Sequence, residues 1–125
     1  MLLDYRPPTH PYLDIVFQDD DIVILNKPSG LLTVPGKAPE HKDSLDYRVR
    51  LVWPQARIVH RLDMATSGLV VMAMHAQSQR DLNKQFELRQ TQKRYFALLE
   101  GQVPVDCGAV ELPLLCDWPN RPRQM

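Results

Sequence analysis

Nine residues, His60-Arg61-Leu62-Asp63-Met64-Ala65-Thr66-Ser67-Gly68, place an imidazole, a guanidinium and a carboxylate on one short polar turn. The turn lies between two apolar stretches, Ala56 to Val59 and Gly68 to Met74, whose composition predicts strands. Reactive groups need such a mount, because strands on both sides fix the backbone from which an acid or base projects. Gly68 permits a tight re-entry into the second strand. Thr66 and Ser67 are expected to hydrogen-bond to the turn's own backbone and stiffen it. On residue types alone the segment fits a reactive turn, and it also fits a capped turn with a surface ion pair.

Other chemistries ask for more than this segment holds. A metal pair built from His60 and Asp63 lacks a second histidine at a usual ligand spacing. A hydrolase nucleophile at Ser67 needs Gly-x-Ser-x-Gly at a strand-to-helix elbow, whereas Ala65-Thr66-Ser67-Gly68 runs into a strand. Lys27-Pro28-Ser29-Gly30 lacks the glycine spacing of a phosphate loop. A glycosidase needs two facing carboxylates, and Asp63 has no obvious partner in the sequence.

The elements that must hold this turn are legible as patterns. Leu13 to Gln18 and Ile22 to Leu25 predict a hairpin around Asp19-Asp20-Asp21. A Pro/Gly-punctuated loop follows from Asn26 to Gly36. Ser44 caps a short helix with Leu45, Val49 and Val52 on one face, stopped at Pro54. Gly68 to Met74 reads as a central strand buried on both faces. Ser78 is expected to start a second helix, with Leu82 and Phe86 on its apolar face. Lys93 to Leu99, closed by Gly101, and Val110 to Leu114 are further strand candidates. Residues 1–12, with Pro7, Pro8 and Pro11, form an extended lead-in. Strands with two short helices give an α+β class with a mixed, mostly antiparallel sheet. Trp118, among prolines and arginines at the end of the chain, reads as a loop leading onward, so residues 13–125 are expected to be the front of a longer domain.

Composition narrows the class. Of 125 residues, 44% are apolar and 24% charged, which suits a packed domain and excludes a disordered tail. No apolar run approaches the ~20 residues of a membrane span. The start, MLLDYRPPTHP, lacks the basic and apolar stretches of a signal peptide, so a soluble cytoplasmic protein is expected. Cys107 and Cys116 are too few for a disulfide scaffold and are expected as reduced thiols in or near the core. The net charge is zero, but residues 1–46 carry −4, residues 47–94 carry +6 and the remainder −2. A basic middle in an acidic frame suits a local anionic ligand, and equally a solvated helix face.

The turn, as His-Arg-Leu-Asp-x-x-Thr-Ser-Gly, resembles the signature of the RluA family of RNA pseudouridine synthases. Asn26-Lys27-Pro28-Ser29-Gly30-Leu31 resembles the family's first motif, and Lys93-Arg94-Tyr95-Phe96-Ala97 with Gly101 its third. Order and spacing agree across residues 13–114. Val34-Pro35-Gly36, residues 40–44 and residues 116–122 bring the match closest to the family's dual-specificity members. The resemblance implies the pseudouridine synthase catalytic fold, no cofactor, and tRNA (anticodon loop) and 23S rRNA as substrates of a monomeric enzyme. It implies that Asp63 is the catalytic aspartate, acting at the sugar as nucleophile or as proton acceptor. Tyr95 would pack on the uracil and assist at its proton. Arg61 would fill the space of the flipped nucleotide. His60 would serve as a hydrogen-bonder rather than an acid or base, and Lys27 and Lys93 as phosphate contacts or solvated lysines. The first strand begins too early for the S4 RNA-binding domain that many members carry. The family's later Gly-Arg-x-His-Gln-like segment, whose arginine pairs with the aspartate, has no counterpart in residues 1–125. The chain alone is therefore expected to be inactive, and a non-catalytic RNA-binding or partner-binding remnant is the alternative.

Overall fold

The structure, a computed structural model, describes residues 4–120 and divides the chain into two compact units, residues 1–93 and 94–125. The first unit is a four-stranded antiparallel sheet with two helices. Strands β1 (Ile15–Gln18) and β2 (Ile22–Lys27) form the expected hairpin. Its turn is built by one side chain: Asp19 Oδ1 accepts the Asp21 and Ile22 amides, both at 2.8 Å. A bulge at Val16 breaks the register of β1.

Helix α1 (Leu45–Val52) starts where Ser44 Oγ accepts the Tyr47 amide at 3.0 Å. Strand β3 (Arg57–Ile58) is short, and β4 (Gly68–Ala73) pairs with β2 along its whole length, from Ile22↔Ala73 to Lys27↔Gly68. The order β1-β2-β4-β3 makes β4 an inner strand, as its composition predicts. All three strand pairings of this sheet are antiparallel, so the parallel component of a mixed sheet is not seen in it.

The core gathers on one face. Val23 and Leu25 of β2 stand opposite Met72 and Val70 of β4, and Leu31, Leu45 and Val49 cover them. On the other face of β4 burial runs from complete at Ala73 to 62% exposure at Leu69. The expected burial of β4 on both faces therefore fails at its signature end, because α1 and Leu31 cover only the face carrying Val70 and Met72. Val52 likewise lies outside the core: Trp53, which caps the end of α1, packs on the cluster and Val52 is exposed. The third wholly or nearly buried side chain of α1, beside Leu45 and Val49, is instead an arginine, Arg48.

Helix α2 (Ala76–Glu87) packs against β4 and begins two residues before the expected Ser78. Its cap is His75, whose Nδ1 accepts the Ser78 amide while Ser78 Oγ accepts the His75 amide. With Nδ1 accepting, Nε2 carries the proton and donates to Asp21 Oδ1 at 2.7 Å, which ties the helix to the hairpin turn. The lead-in forms neither strand nor helix, as expected, over its described part, residues 4–12.

Lys93 to Leu99 and Val110 to Leu114, which apart from Lys93 belong to the second unit, form no strands among the described residues. Their alternating apolar residues have no ladder partner there, and a strand is held by its ladder rather than by its own composition. A short 3-10 turn, Trp118–Asn120, closes on Asp117, whose carbonyl and carboxylate accept from Asn120. Arg121 and Pro122, part of the stretch compared with the family, lie outside the described residues. Both cysteines are free thiols, but Cys107 is exposed rather than in or near a core.

Candidate active site

The signature turn has no regular structure from Val59 to Ser67, so its shape must come from what it is bonded to. Within the turn the Thr66 amide donates to Asp63 O at 3.0 Å. The other fastenings come from the first motif and from Thr33 just after it, more than twenty residues upstream. Thr33 Oγ1 accepts the Leu62 amide at 3.1 Å and donates to Leu62 O at 2.6 Å. Gly30 N donates to Met64 O at 2.8 Å, and Ser29 Oγ to Ala65 O at 2.7 Å. The residues on both sides of Asp63 are thus pinned by their main-chain groups. Thr66 and Ser67, expected to stiffen the turn, make no side-chain hydrogen bond among the described residues; the hydroxyls that do so are Ser29 and Thr33. Gly30 and Gly68 flank the arrangement at φ +93° and +136°, backbone that L residues rarely adopt.

Lys27 completes this set. It is wholly buried at the end of β2, and its Nζ donates to Leu31 O at 2.6 Å, Pro28 O at 3.0 Å and Met64 O at 3.1 Å. Three carbonyls match the three donors of an ammonium. Burial lowers its pKa, and the nearby Asp63 carboxylate partly opposes that shift. A lysine enclosed in this way touches neither solvent nor phosphate, so the position expected for Lys27 at an RNA phosphate gives way to a clamp between the two motifs. The sequence held a signal for this: Lys27, Ser29 and Thr33 sit in a loop with Leu31, Leu32 and Val34, and polar groups in an apolar setting are buried with partners.

Arg61 and Asp63 both project to the exposed side of the pinned turn. Neither side chain has a hydrogen-bond partner among the described residues. His60 sits at the end of β3, and its Nε2 accepts the Val71 amide at 3.0 Å, continuing the β3–β4 ladder with a side chain in place of a carbonyl. Its ring stacks on Phe86 of α2 at 4.7 Å, and the Lys93 ammonium lies over the same Phe86 ring at 5.5 Å. Burial, and then the Lys93 charge, lower the His60 pKa, which keeps the ring in the neutral form that accepts. His60 and Lys93 therefore meet at Phe86, while Arg61 and Asp63 are presented by the turn. Tyr95 belongs to the second unit, where its ring is 60% exposed. Among the described residues no three His, Cys, Asp or Glu gather as metal ligands would, and no helix is long and apolar enough to cross a membrane.

An antiparallel α+β unit that presents one aspartate and one arginine on a pinned turn matches a known group. The chain belongs to the RNA pseudouridylate synthase family, whose model matches residues 21–122. It is 52% identical over 123 residues to the dual-specificity RNA pseudouridine synthase RluA of Vibrio vulnificus (strain CMCP6), covering 98% of this chain and 49% of that protein. It is also 52% identical over 121 residues to the RluA of Escherichia coli (strain K12), covering 97% and 55%. The chain spans about half the length of the curated relatives it matches. Among solved structures, human RNA pseudouridylate synthase domain containing 4 superposes with a TM-score of 0.51 at 26% identity, over 62% of this chain and 30% of that one. Human RNA pseudouridylate synthase domain containing 1, at 24% identity and a TM-score of 0.52, shares the fold.

Proposed function

We propose that the full-length protein isomerises specific uridines of RNA to pseudouridine, with Asp63 as the catalytic carboxylate. The observation that carries this reading is the turn itself: a carboxylate exposed to a substrate, on a backbone held by Thr33, Gly30 and Lys27 on either side. The reaction breaks the bond between C1′ of the ribose and N1 of uracil, turns the base, and joins C1′ to C5. The proton leaves C5 and N1 gains one, so no atom is added or lost and no co-reactant is consumed. Asp63 acts at the sugar, by attack on C1′ or by accepting a proton in an elimination. Tyr95 packs on the uracil and assists removal of the C5 proton. Arg61, exposed two residues from Asp63, takes the place of the nucleotide turned out of its stack. Lys93, which meets the same Phe86 ring as His60, suits a phosphate contact, whereas His60 shapes the turn.

The relatives' name, dual-specificity RNA pseudouridine synthase, supports more than one RNA substrate; on the resemblance of the motifs we take these to be the tRNA anticodon loop and 23S rRNA, acted on by a cytoplasmic monomer. Residues 13–125 then form the first portion of the catalytic domain, with residues 1–12 as its lead-in. The experiment is pseudouridine mapping on a tRNA anticodon stem-loop and a 23S rRNA fragment, with full-length protein and its Asp63→Asn variant. Turnover is expected to fall about a thousandfold or more while RNA binding stays within about twofold, because the carboxylate serves bond breaking and phosphate contacts lie elsewhere. Turnover retained in Asp63→Asn would overturn the assignment.

A further inference from the structure

Arg48 is wholly buried and has no part in the chemistry above. An enclosed guanidinium is costly unless its donors are matched, so its partners show what it is for. Nε and Nη2 donate to the two carboxylate oxygens of Asp43 at 2.8 and 2.7 Å. Nη2 also donates to Pro8 O at 3.0 Å and Nη1 to Tyr12 O at 3.1 Å, and the guanidinium stacks on the Tyr12 ring at 4.4 Å. Arg48 thus straps the lead-in to the loop that enters α1.

Tyr5, in the same lead-in, makes the second attachment. Its hydroxyl donates to Asp43 O at 2.8 Å and accepts the Leu32 amide at 2.9 Å. Burial raises the phenol pKa, so the hydroxyl keeps the proton it donates. Leu32 lies between the groups that pin the signature turn. Leu31 O accepts Lys27 Nζ, and Thr33 Oγ1 holds both the amide and the carbonyl of Leu62. Leu32 O and Thr33 O in turn accept the Leu45 and Asp46 amides of the first turn of α1. A displacement of Leu32 must therefore move Thr33 Oγ1 against Leu62, the residue before Asp63.

We propose that Tyr5 is a positioning residue for Asp63: its hydroxyl, braced by the lead-in that Arg48 straps down, sets residues 31–33 and through Thr33 the backbone of the signature turn. The catalytic half of this proposal rests on the synthase reading; the structural coupling does not.

The test uses the full-length protein and Tyr5→Phe, which removes one oxygen and keeps the ring. Amide hydrogen exchange at Leu62, whose donor bond ends on Thr33, is expected to accelerate about tenfold. The kcat for pseudouridine formation should fall about five- to thirtyfold with KM within about twofold, since misplacing a reacting group slows chemistry without removing a substrate contact. Arg48→Lys, which keeps the charge but loses the fork that reaches Pro8 and Tyr12, should act in the same direction. Unchanged Leu62 exchange in Tyr5→Phe would overturn the coupling. A lower melting temperature with unchanged kcat, or a rise in KM alone, would overturn the positioning role. An inactive wild type would overturn the synthase reading and the catalytic half with it, while exchange at Leu62 would still decide the coupling.

Discussion

Lys27 holds three carbonyls, Pro28 O, Leu31 O and Met64 O, and the last, which Gly30 N also reaches, lies next to Asp63 in the chain. Replacing it with methionine keeps most of the volume and takes the donor from Pro28 O and Leu31 O in the interior, while Met64 O keeps only the Gly30 amide. Lys27→Met is expected to destabilise the fold by about 3 kcal/mol, read as a shift of the urea midpoint at unchanged m-value. His60 gives a pH signature instead. Its pKa is lowered in the folded state, so below the ordinary histidine value of 6.5 the unfolded chain takes up a proton that the folded chain refuses. Stability should therefore decline as pH falls from 7 through 6.5 and level off below the folded pKa. His60→Gln, which can still accept the Val71 amide, should show less of that decline when denaturant midpoints at pH 7 and pH 5 are compared. Asp63, Arg61 and His60 were legible because they stand together in nine residues. The clamp was not, because Lys27 and Met64 are 37 residues apart and only the folded chain brings them together.

Local patterns served well where one helix or one hairpin turn decides the structure. The Asp19 turn and the Ser44 cap are such cases, and the cap predicts its own cost: Ser44→Ala removes the acceptor of the Tyr47 amide at a buried position and should cost about 1 kcal/mol. Val52→Ala is the matched control. Apolar periodicity put Val52 in the core, but it is 55% exposed, so its truncation should change stability by less than about 0.5 kcal/mol in the same denaturation experiment. Periodicity cannot see Arg48, because a buried arginine is paid for by partners at Pro8, Tyr12 and Asp43, and no helix pattern contains them. Nor can alternation along Lys93 to Leu99 create a strand without a neighbour to pair with. The same limit explains β4, whose composition showed that it lies inside the sheet but not which of its faces is covered.

The second unit carries apolar side chains in alternation with nothing over them among the described residues. Phe96 and Leu98 are essentially fully exposed, and Val110, Leu112 and Leu114 are 75–85% exposed. Apolar surface on unpaired extended chain invites pairing with another molecule. A polypeptide of residues 1–125 is therefore expected to self-associate at micromolar concentration, to bind hydrophobic dyes and to show no synthase activity. Replacing Phe96, Leu98, Val110 and Leu112 with serine should restore a monomer in sedimentation velocity. A sharply unfolding, monomeric and active 1–125 polypeptide would contradict this expectation.

The fastening of the signature turn has a consequence for how such a site changes over generations. Thr33, Gly30, Lys27 and Ser29 grip Leu62, Met64 and Ala65 only by peptide groups. Peptide groups are the same whatever side chain is attached, so the grip does not read the identity of those three residues. Exposed side chains of the turn can therefore be exchanged one at a time while the carboxylate stays where it is, whereas Leu62 is also held by its packing on the core. On the proposed synthase reading, altered substrate preference is then reachable by single substitutions at the exposed positions of the turn, whereas the residues that do the gripping have no such latitude.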